Sequence, residues 1–88
     1  MPRYYIDNSS VFDSPPYYQA KKIAKLVKES GYGHNVRLAN KYGLSNQPKV
    51  VCFDAAHQPS ADLAAIHVRN GLGGRFAKWG VFARKKDW

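Results

Sequence analysis

The sequence has a single cysteine among its 88 residues, Cys52. One cysteine excludes an internal disulfide, which fits a reducing intracellular setting. The chain also has no apolar run approaching the roughly 20 residues that cross a bilayer. Its start, MPRYYIDNSS, has no apolar signal-peptide core. We therefore expect a cytoplasmic protein with no membrane partner.

Acidic residues are also scarce, with six Asp and Glu scattered one at a time. A metal-dependent nuclease would need several acids to hold its metal. The three histidines, His34, His57 and His67, form no zinc-binding pattern with the single cysteine. Asp54, His57 and Ser60 are close in sequence but have none of the surroundings of a nucleophile elbow. The sequence thus predicts no enzymatic activity, no metal site and no cofactor.

Positive charge is abundant: 14 Lys and Arg residues give a formal net charge of +8 and a pI near 9.8. A small domain with this charge attracts polyanions. Nucleic acid, or a nucleoprotein complex, is the partner that we expect first. An acidic protein surface is the alternative partner.

The first half of the chain contains one clear strand and one clear helix. RYYID (Arg3 to Asp7) is rich in β-favouring residues and predicts a short strand. Ser14 can cap a helix from about Pro15 to Ser30, with prolines tolerated in its first turn. Gly31 is a natural stop just beyond it. Helical spacing relates the apolar residues Ala20, Ile23, Ala24 and Val27.

The second half favours strands. KVVCFD (Lys49 to Asp54) is a continuous apolar run typical of a buried central strand. DLAAIHVR (Asp62 to Arg69) alternates, NGLGG predicts a turn, and a last strand extends from Arg75 to about Arg84. The sum is one α+β domain over residues 1–88, with one main helix on a mainly antiparallel sheet of three to four strands that ends in a β-hairpin.

The middle of the chain is ambiguous. Val36 to Tyr42 fits either a short second helix or an irregular connection. The stretch RLANKYGLSNQPKVV resembles part of a helix-turn-helix, with Ala39 in the first helix, Gly43 in the turn and Ser45 opening the second helix. Followed by a basic hairpin, it is similar to the winged-helix family. That resemblance implies a regulator that places its second helix in the major groove of duplex DNA.

The last strand, GGRFAKWGVFARKK, places aromatic residues and cations on the same face. Alternation directs Trp79, Val81 and the alanines towards a core, and Phe76 and Phe82 to the opposite side. Either a helix covers the two phenylalanines, or they form a platform on which unstacked bases lie. The predicted nucleic-acid contacts are Lys21, Lys25 and Lys28 on the helix, and Arg69, Arg75, Phe76, Lys78, Phe82, Arg84, Lys85 and Lys86 around the hairpin.

A different class of function fits the same composition. A compact chain without an active site can act as an accessory factor or inhibitor, of the kind that phages and plasmids encode, and bind a larger protein machine. Its basic surface would then contact acidic residues of that protein, and its aromatic residues would be hot spots. The helix lysines also fit an ordinary solvated helix face.

Overall fold

A computed structural model describes residues 1–7, 17–40, 49–73 and 81–87, with the backbone alone for residues 17–19 and 49. These residues form four strands and two helices. In chain order they are β1 (Arg3–Asp7), α1 (Tyr17–Ser30), β2 (His34–Asn40), β3 (Lys49–Asp54), α2 (Gln58–Leu72) and β4 (Phe82–Lys85).

The four strands form one antiparallel sheet in the order β2-β3-β1-β4. Each helix links two strands that are separated in the sheet by a third strand. This βαββαβ order is the ferredoxin-like, or split βαβ, topology. Because many unrelated functions share such a topology, it says nothing by itself about activity.

Both helices pack on the same face of the sheet and enclose the main core. Phe53 of β3 is fully buried there, and its ring centroid lies 6.1 Å from the ring centroid of Tyr4 on β1. Ile23 and Val27 of α1 and Val68 of α2 complete this apolar layer. A smaller buried cluster lies on the opposite face, hereafter the distal sheet face, and consists of Tyr5, Val50 and Cys52.

The predicted α+β fold with an antiparallel sheet is confirmed. The strands predicted at Arg3–Asp7 and Lys49–Asp54 have those bounds, and the first helix is helical over its described part, Tyr17–Ser30. Gly31 follows it at φ +79°, a left-handed conformation in which glycine is strongly favoured. Neither described helix has the length and apolarity that crossing a membrane requires.

The strand predicted over Asp62–Arg69, and with it the hairpin, is wrong, because these residues belong to α2. The buried positions of this helix are Ala61, Ala64, Ala65 and Val68, which follow helical spacing, whereas Leu63 and Ile66 point outwards. Small residues face inwards because α1 and α2 pack closely together: a side chain on Gly71 would collide with Leu26. The strand prediction is based on the alternation of Ala64, Ile66 and Val68 with Ala65, His67 and Arg69, and this alternation does not match the observed burial.

The helix-turn-helix prediction is also wrong. His34–Asn40, where its first helix would begin, is an edge strand, and Leu38 pairs with Val51 of β3. Val36 and Leu38 pack on the main core, which gives this segment the period of two that a half-buried strand requires. Both alternatives for Val36 to Tyr42, helix and irregular connection, therefore fail over the described part of that segment.

The close approach of Gly33 to the core gives a first prediction. A Cβ at this position would collide with Val27 Cγ1 and lie 3.1 Å from Phe53 Cδ2, and both neighbours are buried. We expect Gly33→Ala to lower the free energy of unfolding by about 1–3 kcal/mol, because overpacking a rigid core forces side chains from their rotamers.

Gly71→Ala is the matched control for Gly33→Ala. The added methyl group meets the end of the half-buried Leu26 side chain, which can rotate away. Alanine also gains up to about 1 kcal/mol over glycine in a helix. Urea denaturation should show a smaller loss for Gly71→Ala, and equal losses for the two variants would contradict this packing.

The start of α2 gives a second prediction. His57 has an extended backbone, and its Nδ1 accepts a bond of 3.4 Å from the backbone N–H of Ser60. We expect His57→Ala to cost up to about 1 kcal/mol, because the Ser60 N–H loses one of its two acceptors and keeps the His57 carbonyl at 3.1 Å. His57→Asp should match or exceed the original stability, since a carboxylate accepts the same bond and suits the positive end of the helix dipole. Thermal unfolding that ranks Asp with Ala would contradict this cap.

Candidate nucleic-acid interface

Phe82 lies on the distal sheet face. Its neighbours Val81 and Ala83 are buried beneath the helices, so the alternation of β4 turns Phe82 to the other side. There it is 46% exposed, and its Cα pairs with that of Asp7. Neither described helix covers Phe82, so the alternative in which a helix buries this residue is wrong, and its role as a base-binding platform stays a prediction.

Two guanidinium groups lie beside the Phe82 ring. The Cζ atoms of Arg69 and Arg84 are 5.6 Å and 5.8 Å from the ring centroid. Both distances are within reach of a cation–π attraction, which is worth about 0.5–1 kcal/mol at an exposed site. An exposed aromatic ring and two planar cations thus form one surface.

The position of Arg69 depends on α2. Its terminal nitrogen donates a 2.8 Å hydrogen bond to the carbonyl of Val81, and Gln58 donates one of 2.9 Å to the carbonyl of Ala83. Val81 and Ala83 are alternate residues, so α2 occupies two carbonyls along β4. These bonds hold the strand against the helix and limit strand addition at this edge.

Arg84 is held from the other side by β1. Its Nε is 2.5 Å from Asp7 Oδ2, where the Arg84 side chain is 57% exposed and that of Asp7 is 16% exposed. This charge-assisted bond fixes the guanidinium plane next to Phe82. It also compensates part of the positive charge of Arg84, so Lys86, which follows β4 and acts electrostatically on Cys52 of the distal sheet face, contributes to the cationic character of this surface.

The centre of the distal sheet face is less accessible. Tyr5 is only 8% exposed, and its Cα pairs with Cys52 on one side and Arg84 on the other. At the β2 edge of the sheet, the Arg37 Nη1 atom lies 3.7 Å from Asp54 Oδ1. Tyr5 is therefore a packing residue, and Phe82 is the aromatic ring that the described part of this face exposes. No three His, Cys, Asp or Glu side chains in the described ranges are arranged to hold a metal.

The structure brings together four of the predicted contact residues and separates four others from them. Arg69, Phe82, Arg84 and Lys86 lie along β4 at the distal sheet face, and we name them the β4 cluster. Lys85 pairs with Tyr4 and therefore belongs to the helical side of the sheet. Lys21, Lys25 and Lys28 lie on α1, in the helical layer, with α2 between them and β4. Arg75, Phe76 and Lys78 lie outside the described residues, as does Trp79.

Sequence reasoning missed the charged residues of the neighbouring strands. Arg3 and Asp7 alternate with the buried Tyr4 and Ile6 along β1, so the strand prediction already contained the signal that they share a face with Tyr5. Arg37 could not be found in this way, because its segment was not recognised as a strand.

Comparisons with protein-family models, with curated proteins and with solved structures gave no match to this chain.

Cys52, on the distal sheet face, gives a third prediction. Burial raises the pKa of its thiol above the ordinary value of 9.0, while the charges of Arg37 and Lys86 act in the opposite direction. The folded chain therefore holds this proton more tightly than the unfolded chain. The contribution of the protonated Cys52 thiol to the free energy of unfolding is fully present below pH 9 and is lost as the pH rises further.

We expect the free energy of unfolding to fall as the pH rises above 9, and to fall less steeply in Cys52→Ala. The difference between the two urea-denaturation profiles isolates the thiol from every group that the two proteins share. Parallel profiles would show that Cys52 has an ordinary pKa.

Proposed function

We propose that this protein is a non-enzymatic nucleic-acid-binding protein that contacts single-stranded segments with the β4 cluster. The observation that carries the proposal is the exposed Phe82 ring with guanidinium groups at 5.6 Å and 5.8 Å. An unstacked base can lie on an aromatic ring or on a guanidinium plane, and sheet surfaces bind single strands in this way.

The cations of the β4 cluster have two different roles in this proposal. Arg69 is a positioning residue, because it is engaged with the Val81 carbonyl and orders the ring. Arg84 and Lys86 contact phosphates, which supply affinity without reading sequence. Two phosphate contacts predict a slope of about −1.4 for log affinity against log salt on a single strand.

The fourth prediction concerns Phe82. We expect Phe82→Leu to weaken binding of a labelled single-stranded oligonucleotide by at least about fivefold, because stacking on an aromatic ring is worth about 1–3 kcal/mol per base. Leucine keeps the apolar bulk and removes the stacking surface. Fluorescence anisotropy, with single-stranded RNA, single-stranded DNA and a duplex as probes across a range of salt, measures the effect.

Leu63→Ala is the control, because Leu63 is 44% exposed, close to the value for Phe82, and lies on the outer side of α2. It should leave the affinity unchanged. Unchanged affinity in Phe82→Leu, or absence of binding to all three probes at low salt, would sink the proposal.

The accessory or inhibitor alternative has an observation of its own. Leu63 and Ile66 are 44% and 45% exposed and lie one turn apart on the outer side of α2, where Ile66 is one turn from Arg69 of the β4 cluster. A protein partner bound there would persist after nuclease treatment and would be lost in Leu63→Asp. Under both functions, the expected cytoplasmic location stays a prediction.

A further inference from the structure

A second basic surface lies on α1, away from the β4 cluster. Lys21, Lys25 and Lys28 recur at spacings of four and three residues, which places them on one side of a helix with 3.6 residues per turn. We name them the α1 lysine stripe. Leu26, which faces Gly71 of α2, lies on the other flank, so the stripe is turned away from α2.

Within α1, one acidic residue lies among these lysines. The one acidic residue of α1 is Glu29, and the salt bridges between described residues do not involve Lys22, Lys25 or Lys28. Lys21, Lys22 and Lys25 border an open region of the α1 surface with Leu26 and Glu29, so their ammonium groups are close enough together to approach one phosphate backbone.

The two basic surfaces cannot serve the same short stretch of nucleic acid. The lysine stripe belongs to the helical layer, whereas Phe82 and Arg84 lie on the opposite side of the sheet, and α2 stands between α1 and β4. The smallest extent of the molecule between Cα atoms is 19 Å. This exceeds the Debye length of about 8 Å at physiological ionic strength, so two bound polyanions would be largely screened from each other.

We infer that the α1 lysine stripe binds a second nucleic-acid segment, so that one molecule bridges two segments. The inference rests on the proposed function of the β4 cluster. The occupant of the stripe is chosen by charge: lysine ammonium groups are point charges that suit phosphates and present no aromatic surface to a base. The stripe therefore accepts single-stranded and duplex segments alike, whereas the β4 cluster prefers single strands.

A bridging assay tests this inference. Beads carrying a single-stranded oligonucleotide are incubated with the protein and a second, labelled, non-complementary oligonucleotide or duplex, and the captured label is measured. The original protein should capture both labelled probes. The triple variant Lys21→Gln, Lys25→Gln, Lys28→Gln should capture at least about fivefold less label, since its second segment loses the counterion release of three phosphate contacts. Its binding to the bead oligonucleotide, measured separately, should stay within about twofold, because the β4 cluster is intact.

The charge-preserving variant Lys21→Arg, Lys25→Arg, Lys28→Arg is the matched control and should retain capture. Glutamine and arginine are both good helix formers, and circular dichroism of both variants checks that α1 is intact. Capture that survives the glutamine substitutions would overturn the inference, and so would a stripe that holds polyglutamate but no second oligonucleotide. A protein that binds the bead oligonucleotide but captures nothing would overturn bridging alone. Absence of any binding to the beads would overturn the proposed function as well.

Discussion

The packing of both helices on one face of the sheet determines which strand residues face the core and which form the distal sheet face. Burial of Phe53 and Tyr4 against α1 and α2 fixes which residues of each strand point inwards. Because strand residues alternate, the remaining residues must share the distal sheet face. On β4 this rule buries Val81 and Ala83 and exposes Phe82 and Arg84.

This packing depends on small residues where the helices meet. Ala61, Ala64 and Ala65 form most of the buried side of α2, and Gly71 and Gly33 approach neighbouring side chains too closely for a Cβ. Close approach brings Arg69 and Gln58 within reach of the outer edge of β4. The same alanine-rich side therefore stabilises the fold and positions the guanidinium group beside Phe82.

The distribution of charge is the second organising feature. A formal charge of +8 is spread over both layers of a thin molecule instead of being concentrated on one face. On the distal sheet face the ion pairs Arg84–Asp7 and Arg37–Asp54 reduce the local positive charge and orient the guanidinium groups. On α1 the lysines are opposed by Glu29 alone within the helix. The ion-paired guanidinium groups of the distal sheet face are held in fixed orientations, whereas the α1 lysines act as point charges.

The sequence by itself determined the α+β class, three of the four strands (β1, β3 and the described part of β4), the first helix and the basic character of the molecule. These follow from local signals: β-favouring runs at Arg3–Asp7 and Lys49–Asp54, apolar helical spacing in α1, and net charge. It also indicated that Phe82 shares a face with Arg84, because alternation is a local rule.

Only the tertiary structure decided what α2 and β2 are. In α2 the large residues Leu63 and Ile66 point outwards, while three alanines and Val68 face inwards where α1 packs closely, so hydrophobicity alone did not indicate the buried side. The strand β2 forms because β3 pairs with it. The tertiary structure also decided which cations share a surface. Arg69 lies beside Phe82, whereas the α1 lysines lie in the helical layer. The sequence could not show this, because a side chain's neighbours in space depend on how the helices and strands pack.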